Sequence, residues 1–188
     1  RRGYDISAIV FDSSLCEYKL DSKIHVEFLS KGEGIQSLIK RSIELKEKVK
    51  KINPEYIIEL GFAERYMMFT GIHKKYKVIT SCRNDPASYC TEGIVNKLWK
   101  KQRDKYQKQT YKIVFQTEDA KKYFDMDIQK KSKVIPNPIK ENLPERYIGE
   151  REHRIVTFSR LNKQKNIPLL LRAFANFSKL HNEYILEI

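Results

Sequence analysis

No apolar run in this chain approaches the roughly 18 residues that a membrane-spanning helix needs, and no secretory leader pattern opens it. Those absences point to a cytoplasmic protein, with contact at the inner face of a membrane still open. Cysteine is scarce. The three present, Cys16, Cys82 and Cys90, are an odd number without metal-ligand spacing or an oxidised framework, which favours a reducing compartment. Familiar catalytic signatures are missing too, with neither GxSxG nor HExxH in the sequence. His25, His73, His153 and His181 lie far apart with no carboxylate or cysteine at catalytic spacing, so surface or structural roles are expected for them. Acid is in short supply: 24 Asp and Glu face 37 Lys and Arg, a net charge of +13. That balance suits an anionic partner, whether nucleic acid, an anionic membrane surface or a phosphorylated small molecule.

What is present can build a core. A hydrophobic fraction of 40% over 188 residues, 11% of them aromatic, suits one domain or parts of two and excludes disorder. Strand and helix patterns alternate. YDISAIVF near the start and the period-2 stretch Lys23–Leu29 read as strands, and Gly34–Ile52 reads as a helix with Ile35, Leu38, Ile39, Leu45, Val49 and Ile52 on one face. Asn53 and Pro54 stop it. Tyr56–Leu60 reads as a buried strand, Ala63–Tyr76 as one helix and Lys77–Ser81 as a strand. Gly93–Gln109 is a long helix whose polar face is almost purely cationic, and with Trp99 and Tyr106 nearby it could rest on anionic headgroups. Tyr111–Phe115 is a strand, Thr117 caps a helix running through Ala120 to Phe124, and Lys133–Ile139 is a short strand that two prolines terminate. The pattern predicts a parallel, doubly wound α/β sheet over residues 1–140, a charged linker over 141–153, and the first βαβ unit of a second sheet over 154–188. Arg1–Phe11 enters a strand almost at once and Tyr184–Ile188 stops inside an apolar run, so the chain is expected to be an interior segment of a longer protein.

Three places carry chemistry. Ile155, Val156 and Phe158 read as a strand buried on both faces, followed at its carboxyl end by the cationic turn Ser159–Asn166 with Arg160, Lys163 and Lys165. Asn166 is placed to cap the next helix, Pro168 suits its first turn, and Leu170, Ala173, Phe174, Phe177 and Leu180 give it an apolar face. Cations beside a helix N-terminus make an anion site, and Arg160 with Lys165 could converge on a diphosphate. The turn contains no glycine, which excludes the P-loop and the dinucleotide fingerprint. A second ligand edge is Cys82–Arg83–Asn84–Asp85–Pro86, a polar turn after the Lys77–Ser81 strand. Asp125-Met126-Asp127 is a DxD triplet that could ligate a divalent metal, or could be a solvated turn.

Arg154–Leu180 together with Lys133–Ile139 (KVIPNPI) resembles the group 1 (family 4) glycosyltransferases of the two-domain GT-B fold, especially bacterial enzymes that build capsular, O-antigen and other cell-surface polysaccharides. In that family a strand ending VIPNP or VIPNG leads through the interdomain linker to a strand, an (S/G)RL turn, a lysine and a helix. The matching residues are Val134–Pro138, Ser159–Arg160–Leu161, Lys165 and the helix from Ile167. VFQTEDAKKYF and TSCRNDP are similar to N-domain segments of the family in a looser way.

The resemblance implies a retaining sugar transferase, independent of a bound metal and of any cofactor, whose donor is a UDP- or GDP-sugar held by the C-terminal domain. Arg160 and Lys165 would neutralise the leaving diphosphate, and a lipid-linked or saccharide acceptor would lie near Arg83, Asn84 and Asp85. The family's glycine-rich loop would precede Arg1, and its donor-sugar carboxylate pair (E-x7-E) would follow Ile188. Where many members carry an N-domain histidine, this chain has Cys82 or Arg83. Two other readings stand beside this one. A nucleotide-sugar epimerase of the same fold needs no acceptor, and a basic nucleic-acid-binding module would show a steep salt dependence, although no aromatic-basic reader motif is present.

Overall fold

The computed structural model describes residues 3–11, 20–61, 63–89, 94–139 and 142–188; Cys16, Cys90 and Gly93 lie outside them. Two compact units divide the chain, Arg1–Pro138 and Ile139–Ile188. Both are α/β with parallel strand pairing.

In the first unit β1 (Ser7–Val10) pairs with β2 (His25–Phe28) in parallel register. The chain then alternates: α1 (Gly34–Ile52), β3 (Tyr56–Glu59), α2 (Glu64–Thr70), β4 (Lys77–Cys82), α3 (Ile94–Gln109) and β5 (Lys112–Phe115), then α4 (Glu118–Lys122), α5 (Met126–Lys130) and β6 (Ser132–Val134). Strands β3, β4, β5 and β6 form a four-stranded parallel sheet in that order. Helical crossovers make this possible, since parallel neighbours cannot be joined by a tight turn.

The core follows the periodicity. Leu29, Leu45, Val49, Met67, Ile72, Val78 and Tyr106 form one buried cluster, and Cys82, Ile113, Phe115, Phe124 and Ile128 another. Burying each such side chain contributes about 1.5–3 kcal/mol. Helix α1 turns Ser42, Leu45 and Val49 inward, but Ile35 is 77% exposed and Ile39 is exposed too, so its buried face is narrower than the apolar spacing implies. Asn53 ends this helix in the left-handed region (φ 47°), its amide donating to the Val49 carbonyl at 2.8 Å.

Several expectations need correction. The helix over Ala63–Tyr76 breaks at Gly71, whose φ of 67° suits glycine and starts a single 3-10 turn over Ile72–Lys74. Strand β3 lies at the edge of its sheet, leaving Tyr56 and Ile58 exposed where a fully buried strand was predicted. Helix α4 ends at Lys122 and a separate helix, α5, follows; β6 stops at Val134 because the prolines beyond it cannot donate to a ladder.

The second unit holds β7 (Arg154–Val156), α6 (Ile167–Phe177) and β8 (Ile185–Glu187), with β7 and β8 parallel. Arg154 of β7 ties the strands together through an ion pair to Glu187 of β8 and also pairs with Glu152, both at 2.9 Å. His153 stacks on Tyr184, and Phe177 at the end of α6 stacks on His181 and meets Tyr184 edge-on. The expected burial of the first strand on both faces is not observed. Ile155 and Val156 are exposed and Phe158, beyond the strand, is 96% exposed, since one helix and one neighbouring strand cannot cover two faces.

Candidate functional site

Parallel register brings three strand ends to one edge. Cys82 pairs with Phe115 and Phe115 with Val134, so the segments leaving β4, β5 and β6 emerge side by side. Arg83, Gln116 and Asn137 sit on those segments. The Arg83 guanidinium donates to Asn137 Oδ1 at 2.9 Å, and the Gln116 amide donates to the same oxygen at 2.7 Å. Asn137 therefore joins the first and third segments across the second. Beside this clasp is a cleft of 390 Å³, walled by the Cys82–Pro86 turn and by Gln116, Thr117, Asp119, Ala120 and Tyr123.

Local chemistry shapes each wall. Asp85 Oδ1 accepts from the Ala87 amide at 2.9 Å, which builds the turn into the 3-10 segment Pro86–Tyr89. The Cys82 thiol donates toward the Asn84 carbonyl at 3.6 Å, and burial pushes it up to about 11, so little of it is thiolate near neutral pH. Thr117 caps α4 as its type and position predicted, its hydroxyl accepting from the Ala120 amide at 3.1 Å. An arginine, amide and carboxylate groups, a hydroxyl and the Tyr123 ring make a wall that can hydrogen-bond hydroxyl-rich ligands and pack one sugar-like face.

Of the residues singled out in the sequence, Arg83, Asn84 and Asp85 are together on this wall. Asn137 and Gln116 were missed as site residues. Their signal was the shared register of the strand ends, and a single sequence does not display pairing.

The second unit carries the basic turn. The Asn162 side chain accepts from the Lys165 amide at 3.2 Å, capping the 3-10 segment Lys163–Lys165. Asn166 was expected to cap α6 through its side chain; instead it adopts φ 46° and makes no such bond, so its role is the backbone reversal that starts the helix. Pro168 occupies the first turn as predicted. Arg160, Lys163 and Lys165 are exposed, and among the described residues none of them is in an ion pair. Three cations therefore stand uncompensated near the N-terminus of α6, a favourable setting for phosphate oxygens.

Two other stretches resolve differently from each other. Asp125 precedes α5 and pairs with Lys108 at 2.6 Å, a contact that holds its carboxyl below the usual range. The triplet is thus a helix start, and among the described residues no group of His, Cys, Asp or Glu is placed to hold a metal ion. Lys97, Lys100, Lys101, Lys105 and Lys108 line a groove of 450 Å³ along α3 with Asp104 and Asp125. Tyr106 is buried on the opposite side of that helix and cannot share the cationic face, while the Arg65 guanidinium lies 4.8 Å from the Trp99 ring. Among the described residues no helix is long and apolar enough to cross a membrane. No family model matches this sequence, and no curated protein matches it.

Proposed function

We propose that this chain belongs to a retaining glycosyltransferase of the group 1 (family 4), GT-B type, which moves a sugar from a UDP- or GDP-sugar to a saccharide or lipid-linked acceptor in surface polysaccharide synthesis. The observation that carries the reading is the uncompensated cationic turn Ser159–Asn166 at the carboxyl end of β7, just before the N-terminus of α6. Open parallel sheets bind ligands at that edge. Arg160 offers a planar fork and Lys165 a compact charge to the diphosphate. As the glycosidic bond to the donor breaks, negative charge grows on the leaving diphosphate, so fixed cations stabilise the transition state more than the ground state.

The cleft at Arg83 serves the acceptor in this reading. Its amides and carboxylates match sugar hydroxyls, and the clasp through Asn137 keeps the guanidinium in place. The lysine face of α3 suits an anionic bilayer surface, where a lipid-linked acceptor would be presented.

A product assay tests the proposal. The native-length protein, given nucleotide-sugar and an acceptor mixture, is expected to release nucleoside diphosphate only when acceptor is present. Conversion of the donor sugar without acceptor would favour an epimerase, and loss of both activities with tight, salt-sensitive nucleic-acid binding would overturn the reading.

A further inference from the structure

Behind the cleft lies a buried polar cluster that sugar transfer does not use. Glu59, the last residue of β3, is only 2% exposed, and no side chain among the described residues donates to its carboxylate oxygens, which only the backbone amides of Gly61 and Ala63 approach. It stands opposite Thr80 of β4, whose buried hydroxyl faces that of Tyr106. The Tyr106 hydroxyl, the Gln107 carbonyl oxygen and Arg103 Nε, all from α3, are also buried. Glu64 of α2 accepts from the Gln107 amide at 3.3 Å. Two carboxyls thus sit among buried hydroxyls and the Arg103 guanidinium. Protonation of one carboxyl supplies a donor and removes a charge that burial makes costly.

The charged and titratable neighbours are identifiable. Glu64 acts on Glu59 as a like charge, while the backbone amides of Gly61 and Ala63 pull the other way. Burial and the Glu64 charge together push Glu59 up to about 8. Glu64 is itself raised by burial, and Arg103 opposes that shift, with smaller effects from Asp104 and Arg65. Tyr106 and Cys82 both feel Glu59 and Glu64. His73 meets the Tyr106 ring edge-on at 5.0 Å. Arg103 favours Glu64 as the charged partner, which leaves the proton on Glu59.

We propose that Glu59 and Glu64 form a proton-binding site whose occupancy sets the position of the Cys82–Pro86 turn. The path is short: Glu59 faces Thr80, and Cys82, two residues further along β4, starts the turn that walls the cleft. Loss of the proton leaves two like charges acting on each other within the buried cluster, and the end of β4 shifts to admit water or bring Arg103 closer. The proposal does not rest on sugar transfer.

The test uses the full chain with Cys16 and Cys90 replaced by Ser, leaving Cys82 as the only thiol. Infrared spectra at pH 7 should show a protonated carboxylic acid that titrates near pH 8 and disappears in Glu59→Gln. Thiol ionisation alone raises Cys82 labelling by about tenfold per pH unit. In the parent an additional rise on the order of fivefold is expected across the Glu59 titration, reflecting opening of the turn. Glu59→Gln should lose that extra rise, and Glu64→Gln should move it to lower pH, because the Glu64 charge that holds the proton on Glu59 is gone. A protonated carboxyl that is absent at pH 7, an unchanged labelling profile in Glu59→Gln, or a shift to higher pH in Glu64→Gln would each overturn the proposal. Should Glu59→Gln fail to fold, the infrared titration of the parent and the Glu64→Gln shift decide it.

Discussion

The cleft at Arg83 and the turn at Arg160 both lie at the carboxyl ends of parallel strands, yet they are built on opposite plans. In the cleft the polar walls are held by hydrogen bonds: Asn137 clasps Arg83 and Gln116, Asp85 builds its own turn, and Thr117 caps α4. In the basic turn the backbone is fixed by Asn162 and Asn166, but Arg160, Lys163 and Lys165 project without ion pairs among the described residues. A preorganised polar wall suits a neutral, hydroxyl-rich ligand whose shape must be read. Uncompensated cations suit a ligand that brings its own charge, because no internal ion pair has to be broken on binding.

The sharpest way to break this contrast is to remove the charge. Arg160→Ala with Lys165→Ala should lower turnover by about a hundredfold to a thousandfold, roughly 3–4 kcal/mol of transition-state stabilisation, with the far-ultraviolet circular dichroism unchanged. Equal turnover in the double variant would leave the turn a solvated loop.

Next in size is the buried carboxyl behind the cleft. Its folded value of about 8 lies above the ordinary 4.5, so the folded state holds the proton more tightly than the unfolded chain. Its contribution is fully present below about pH 4.5 and is lost as pH rises to 8. Urea melts across that window should lose on the order of a few kcal/mol, and Glu59→Gln should flatten the slope.

Within the cleft, Asn137→Ala releases both Arg83 and Gln116. About a tenfold rise in acceptor KM is expected, with donor affinity unchanged, corresponding to one or two hydrogen bonds. A change in donor affinity instead would blur the division of labour between the two places. Thr117→Ala should cost about 1 kcal/mol in chemical denaturation through loss of the α4 cap. Smallest of all is Lys108→Ala: the pair with Asp125 is exposed and screened, so the melting temperature should not move measurably, and a large drop would restore interest in the Asp125 triplet.

Periodicity made much of the architecture legible. Helix α1 runs over Gly34–Ile52 as its spacing and the Asn53-Pro54 stop predict, and the alternation of strands with helices foretells the parallel sheet. Failures cluster where tertiary context decides. Which strand lies at an edge depends on pairing, so Tyr56 and Ile58 looked buried and are not. Gly71 sits inside an apolar pattern that continues past it, and only its positive φ reveals the break. Arg83 and Asp85 could be nominated from a polar turn after a strand, whereas Asn137 acquires its role only when register carries it next to Arg83. Glu59 lies within the Tyr56–Leu60 stretch that reads as a buried strand, but the groups that act on it, from α2 and α3, come together only in the fold.

Direct titration of the native-length protein with UDP and GDP, followed by heat at low and high salt, tests the central claim most simply. The account predicts saturable binding of at least one diphosphate that weakens with salt and is lost in both Arg160→Ala and Lys165→Ala. Binding that survives both substitutions, or no binding of either diphosphate, would contradict it.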